Sequence, residues 1–414
     1  MRALHLSAAP HRLAVTATAG RLRAQQRHGG PGAALQLREV PRPARPPGWV
    51  RIRPILAGIC GSDRKTVRLE LGRAVTAFYG LPREGVVPGH EVVGTVLEAD
   101  PDSRLAEGDR VVPEPLLSCV DKGLPRCARC GAGQDHRCAH QADAGPHGGG
   151  LGFGFHARYG GGWAEELVAP ADRVHPVPDH LDDRTAVLVE PTAVAVHAVL
   201  RDPPRAGDRA LVIGPGTVGL ALVHALTTLA PGAEVTVVGL DPATHDLARR
   251  AGAAEVVADQ GRALLAALAA RLGSPLRGGV LSGPVLEDGV DVVYDTVGTH
   301  QTIDDGLRAL RPGGRLVLIA SSAVQKVDWT LVWHRELAVQ GSGYYAVEDV
   351  PATARVTAGR RRALAVALEV LSEHRPGHLV THVYRLDEPR AALATAEAGP
   401  ARDAVKVAFV PEAA

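Results

Sequence analysis

The stretch that most limits what this chain can fold into is Arg209-Ala-Leu-Val-Ile-Gly-Pro-Gly-Thr-Val-Gly219. A short apolar run, Leu211-Val-Ile213, is of the kind buried inside a parallel sheet. It ends in three glycines spaced G-x-G-x-x-G, and an apolar helical stretch, Val218 to Leu229, follows at once. Three glycines alone carry little weight. Between a buried strand and a helix they form a βα turn. Gly214 makes the bend, Gly216 lets backbone approach a pyrophosphate, and Gly219 lets the helix pack closely on the strand. The helix N-terminus, with Thr217 and Val218, then faces the phosphates.

The surrounding pattern extends this unit. Strands are expected at Glu234–Leu240, Ala254–Ala258, Asp291–Val297 and Gly314–Ala320. Helices are expected between them at Asp246–Ala251 and Ile303–Leu310. Strands alternating with helices mean an α/β, Rossmann-type, doubly wound parallel sheet. Just before it, Asp183–Glu190 and Thr192–Arg201 read as helices. The first part of the chain differs. Ala33–Val40 and Trp49–Leu56 alternate apolar and polar residues, as half-buried strands do. Val86–Glu98, Arg110–Val112, Trp163–Val168 and Arg173–Val177 continue this mostly-β character, which predicts a small barrel or rolled sheet. Residues 361–372 and 388–397 read as amphipathic helices, and Val405–Val410 as a strand returning to the first domain. The expected division is 1–190 with a cysteine-rich lobe at about 113–145, then 191–345, then 346–414.

Charge narrows the partners. With 46 basic against 45 acidic residues, the net charge of +1 gives no reason to expect nucleic acid or an anionic membrane. No apolar run approaches the ~18 residues of a membrane span. Met1–Arg23 lacks a continuous apolar core, so no secretory signal peptide is expected and the cytoplasm is the expected compartment. Its Arg-rich, acid-poor character has some likeness to a transit peptide. An irregular first hairpin with a loop around His28–Gly32 is the favoured reading. The 5 cysteines then predict reduced thiols and metal ligation over disulfides.

Two further glycine-rich turns carry the chemistry, Gly58-Ile-Cys-Gly-Ser-Asp63 and Pro88-Gly-His-Glu91. A thiolate, an imidazole and a carboxylate are the three ligand types that hold zinc in a site with an open position. Together with Val189-Glu-Pro-Thr-Ala-Val-Ala-Val-His-Ala198 and the glycine turn, these motifs resemble the zinc-dependent medium-chain dehydrogenases of the alcohol dehydrogenase superfamily. The likeness runs from about Trp49 to about Gly343. A Glu at 190 followed by Pro is similar to the polyol, threonine and glucose dehydrogenase branch; the ethanol branch would carry Cys there. The resemblance implies a GroES-like catalytic domain with catalytic zinc on Cys60, His90 and Glu91. Glu190 is either a fourth ligand or the group holding a zinc-bound water. Zinc would acidify an alcohol, whose alkoxide expels hydride to a nicotinamide, or would polarise a carbonyl in the reverse direction. Ser62 is the first step of a proton relay. The family's usual His three residues on is Lys65 here, which opens exit through Lys65, the cofactor ribose or water. Asp63 is read as structural.

Cys127-x-x-Cys130 followed by seven residues and Cys138 is a structural zinc pattern, and four thiolates close such a site. The family's first cysteine position is Leu124 here. Cys119, eight residues before Cys127, is taken as the fourth ligand through a loop insertion. His136 and His140 are spare candidates.

The cofactor is NAD or NADP. The family's ribose-reading acid falls at Gly239, the nearest acid is Asp241, and Arg249 and Arg250 lie further along; NAD is favoured. Val297 and Gly298, and also Ala320 and Ser321, are expected near the nicotinamide. The substrate is expected to be a small polar alcohol or ketone (polyol, sugar, cyclitol or hydroxy amino acid), bound between the domains beside Ser62, Phe153–His156 and Tyr344-Tyr345. Family members are usually homodimers or homotetramers. Two other readings stand beside this one. One is a reductase of the same fold without catalytic zinc. The other is a non-catalytic zinc- and nucleotide-binding redox sensor.

Overall fold

Trp49–Gly58 is the strand on which the first half of the chain is assembled. In the computed structural model, which describes residues 1–22, 32–70, 84–147, 150–278, 282–320 and 324–411, it pairs with three other strands. The readings made for Arg23, His28–Pro31 and Ser321 fall outside the described residues. Trp49, Val50, Ile52, Leu56 and Ala57 are buried, as the alternation requires. The sheet runs Val380–Arg385, Lys406–Val410, Trp49–Gly58, Val92–Glu98, Arg110–Pro113, Val174–Pro176, with Leu167–Pro170 also on Trp49–Gly58. Pro54 has no N–H to give the ladder, and the register with Val92–Glu98 shifts just after it. Trp163, Tyr159, Phe409, Leu4, Leu6 and Ile52 fill the core beneath.

The first hairpin is more regular than expected. Arg2–Leu6 pairs antiparallel with Leu35–Glu39, and between them stands a helix, Pro10–Leu22. Proline suits a first helical position. Buried Thr16 fastens the helix: its hydroxyl donates to Arg12 O at 3.0 Å and accepts from Ala34 N at 2.9 Å. That contact joins residues far apart in sequence and leaves no local mark.

The second sheet is parallel throughout, in the order Glu255–Val257, Glu234–Val238, Arg209–Ile213, Val290–Asp295, Leu310–Leu318, Ala338–Gly341. Helices Thr217–Leu229, His245–Ala251, Gly261–Leu272 and His300–Ala309 connect successive strands.

The chain divides into two compact units, Met1–Glu190 with Arg375–Ala414, and Pro191–His374. The crossing back comes at Arg375, later than residue 346. Helix Ala363–His374 buries Leu364, Val366, Ala367, Val370 and Leu371 within the second unit, packing on Thr217–Leu229. The His374 ring stacks on His224 at 4.3 Å. Which unit receives an amphipathic face is a matter of tertiary packing and not of periodicity.

Candidate active site

Cys60 and His90 are brought together by two turns that only glycine allows. Gly89 has φ +93°, and a Cβ there would lie 2.4 Å from Trp163 Cδ1. A Cβ on Gly58 would lie 2.0 Å from Glu91 Oε2. Cys60 caps the short helix Gly61–Val67 in extended conformation. Asp63, buried in that helix, accepts from Cys60 N at 3.0 Å, and its other oxygen stands 3.2 Å from His90 Nδ1. The imidazole is thereby oriented with Nε2 toward Ser62 Oγ at 3.5 Å, with the Cys60 thiol in hydrogen-bond reach. Burial opposes the charged imidazole, but Asp63 and Cys60 outweigh it and hold the His90 pKa well above its ordinary value. Phe155 lies against the His90 ring at 4.8 Å. Asp63 is buried at the start of the helix and stands close to His90 as well as to the Cys60 backbone.

Glu91 points elsewhere. Both its oxygens take Lys406 Nζ, at 2.8 and 2.5 Å, and the pair is buried. Glu190 sits in the first turn of helix Val189–Leu200, which begins before Pro191 rather than after it. Desolvation first, and then the negative charge of Glu91, push its pKa up to about 7, against the opposing pull of His90 and Lys406. Thiol, imidazole and carboxyl are donor types that suit a divalent cation, although among the described residues Cys60, His90 and Glu190 do not form a group whose ligand atoms all lie within 4.8 Å of one another. With both Glu91 oxygens on Lys406, Glu190 is the other candidate carboxylate.

The lobe is the clearer metal centre. Cys119, Cys127, Cys130 and Cys138 have ligand atoms all within 4.8 Å of one another. Among the described residues they are the one group of three or more His, Cys, Asp or Glu side chains so disposed. Four sulfurs bound at about 2.3 Å to one tetrahedral ion stand about 3.8 Å apart, so the cluster fits zinc. Backbone N–H groups of Ala139 and Cys130 hold the Cys127 thiol down at about 6, whereas burial pushes Cys130 and Cys138 up. Lys122, wholly buried, donates to His140 O at 2.9 Å and Gln141 O at 2.8 Å. His140 takes Asp143 and leaves the cluster to the cysteines. Buried Arg173 fastens the lobe to the sheet, reaching Glu114 at 3.0 Å, Asp121 at 2.5 Å and Asp135 at 2.8 Å. Lys406 and Arg173 escaped the sequence reading. Their acceptors lie on other elements, and a lone basic residue gives no signal of its own.

In the second unit the glycine turn has the expected form. Gly214 has φ +95°, and a Cβ on Gly219 would lie 1.9 Å from Gly214 O. Gly216, exposed, caps helix Thr217–Leu229, with nothing within 4 Å of where its Cβ would stand. Thr217 and Val218 form the first turn. That glycine turn at a helix N-terminus fits a pyrophosphate. At the end of the next strand a Cβ on Gly239 would lie 2.8 Å from Pro215 Cγ, so no acid fits there. Asp241 accepts from Ala243 N at 3.0 Å. Val297 is 41% exposed just past strand Val290–Asp295, with its N–H on Asp295 at 2.8 Å.

Comparison with known proteins gives the family and the fold. A family model described as "Alcohol dehydrogenase GroES-like domain" matches residues 46–179, and one described as "Zinc-binding dehydrogenase" matches 217–358. The chain is 32% identical over 325 residues to erythritol/L-threitol dehydrogenase of Mycolicibacterium smegmatis, covering 74% of this chain and 79% of that one. The crystal structure of 2R,3R-butanediol dehydrogenase from Bacillus subtilis is similar at 25% identity and a TM-score of 0.64, over 91% of this chain and 96% of that one. The rspB alcohol dehydrogenase of E. coli CFT073, solved with NADH, shares the fold at 22% identity and a TM-score of 0.70, over 99% of each chain. Among the described residues no helix is long and apolar enough to cross a membrane.

Proposed function

The chain belongs to the zinc-dependent medium-chain dehydrogenases of the alcohol dehydrogenase superfamily, NAD(P)-dependent enzymes of alcohol oxidation, and from that premise we propose that it oxidises a secondary alcohol on a polyol at Cys60, His90 and Glu190. The observation that carries this is the Cys60 thiol beside an imidazole whose Nδ1 lies 3.2 Å from Asp63, with Glu190, pushed up to about 7 chiefly by burial, near enough to feel the charges of His90 and Glu91. These three residues would hold Zn²⁺, and Glu91 stays behind them on Lys406. Zinc bound there supplies the Lewis acidity that makes an alcohol easier to deprotonate.

The chain's own residues do the rest. Ser62, 3.5 Å from His90 Nε2, is the hydroxyl that receives the substrate proton. Lys65 follows one turn later on the same helix; burial and then Arg64 lower its pKa, which suits it to pass a proton on. The turn Gly214–Gly219 would hold the pyrophosphate of a nicotinamide cofactor, which when bound would supply the acceptor for the hydride that leaves the alcohol carbon. Phe155 covers one side of His90 and limits the water that reaches it. Similarity to the erythritol/L-threitol enzyme supports a four-carbon polyol as the first substrate to try.

The test offers zinc-loaded protein NAD or NADP with erythritol, threitol, sorbitol, 2,3-butanediol and threonine, reading reduced cofactor by absorbance. Turnover of a polyol that disappears in Cys60→Ser is expected. Turnover that survives Cys60→Ser would move the reaction to the zinc-independent reading, and silence across the panel with zinc bound would refute the polyol assignment.

A further inference from the structure

Lys406 lies on the strand Lys406–Val410, 347 residues beyond Ile59, yet its ammonium meets both turns of the candidate site. Nζ donates to Glu91 Oε1 at 2.8 Å, Glu91 Oε2 at 2.5 Å and Ile59 O at 3.3 Å. An ammonium has three N–H donors, and these are three acceptors. Lys406 is 3% exposed and Glu91 1%. The acceptors belong to the residue before Cys60 and the residue after His90. The same strand accepts Ile59 N on Val407 O at 2.9 Å, and Gly58 N donates to Glu91 O at 2.8 Å. A buried Lys–Glu pair is weak as a source of stability, since desolvating both charges offsets their attraction. Its geometric effect here is specific: one cation ties together two loops distant in sequence, each carrying one donor.

We propose that Lys406 is a positioning residue that fixes the separation of Cys60 and His90 by clamping Ile59 and Glu91. This rests on the functional reading above, in which those two side chains hold the metal. Strand Lys406–Val410 thereby becomes part of the site's geometry through Ile59 and Glu91.

The experiment compares wild type, Lys406→Met, Lys406→Arg, the double variant Lys406→Met/Glu91→Leu, and Cys60→Ser, each reloaded with cadmium and read by ¹¹³Cd NMR. The four-thiolate lobe and a mixed thiolate–imidazole–carboxylate site give separate resonances, so the lobe serves as internal control. Turnover of erythritol and 2,3-butanediol and the Kd for reduced cofactor are measured alongside. Lys406→Met is expected to displace or broaden the mixed-donor resonance and leave the lobe's unmoved. Its kcat should fall ~10- to 100-fold, the range for lost supporting contacts to metal ligands, with cofactor Kd held. Lys406→Arg should restore both.

If Lys406→Met fails to fold, the double variant decides, because removing both charges leaves no uncompensated ion in the core. It should fold stably and still show the lowered kcat and displaced resonance. A double variant with wild-type kcat would mean that Lys406 only neutralises Glu91, and the proposal falls. It falls equally if Lys406→Met keeps the wild-type resonance and kcat while Cys60→Ser loses them. Turnover that persists in Cys60→Ser, or a wild type with no mixed-donor resonance, overturns the functional reading and the clamp with it.

Discussion

Replacing Arg173 by Met should unfasten the cysteine lobe from the sheet. The guanidinium is buried between Glu114, Asp121 and Asp135, whose side chains are 3%, 12% and 11% exposed. Asp121 keeps the Ser118 hydroxyl and N–H, both at 2.7 Å, and Asp135 keeps some water. The cost therefore gathers at Glu114, the deepest of the three, which lies 4.0 Å from His175 Nε2. Removing one partner of a buried ion pair costs about 3–5 kcal/mol. With two of the three carboxylates partly relieved, the lower end, about 3 kcal/mol, is expected near neutral pH and above.

The loss must also depend on pH. Without Arg173, the buried Glu114 carboxyl loses the guanidinium 3.0 Å away, which should raise its folded-state pKa. A raised pKa contributes stability that is present below the unfolded value and lost as pH rises. The gap between wild type and Arg173→Met should thus widen from about pH 5 to about pH 8. Urea denaturation at the two pH values gives the gap. Zinc release to a chromogenic chelator should be faster in the variant, because Asp121 and Asp135 flank the cysteines. A gap under about 1 kcal/mol at both pH values, the level of a surface ion pair, would refute the reasoning. So would a gap that narrows as pH rises.

Gly219→Ala places a Cβ 1.9 Å from Gly214 O, so fluorescence titration with reduced cofactor should show binding weaker by at least ~10-fold; an unchanged Kd would show that the turn can move aside. Cys119→Ser should reduce the lobe's hold on zinc and lower the melting temperature, measured by elemental analysis after dialysis against chelator; full retention would leave three cysteines as the site. In metal-free protein, Glu190 at about 7 against an ordinary 4.5 corresponds to about 3 kcal/mol of stability present at low pH and lost as pH rises through that window. Glu190→Gln should flatten that part of the metal-free stability profile, and urea melts in which wild type and variant keep parallel pH profiles would refute it.

Much of the fold was legible because it is written in local patterns. Alternation set the strands of the first unit, apolar runs set the parallel sheet, and the turn at Gly214–Gly219 needed no partner to be read. Cys127-x-x-Cys130 and Cys138 were legible by spacing, while Cys119 had to be inferred past the empty position at Leu124. The helix at Pro10–Leu22 was not legible, because its anchor, Thr16 on Ala34, is a contact across the hairpin.

The sequence by itself determined which residues could bind a metal, cradle a phosphate or span a sheet, since those follow from side-chain chemistry and spacing along one chain. Tertiary structure decided among them. Glu91 and Glu190 are the same side chain, and nothing local says that one turns to Lys406 while the other is left desolvated near His90. Asp63, Arg173 and Lys406 take their roles from partners 27, 59 and 315 residues away, respectively His90, Glu114 and Glu91. The physical reason is that burial and charge pairing depend on which strands lie side by side, and a linear pattern does not contain that information.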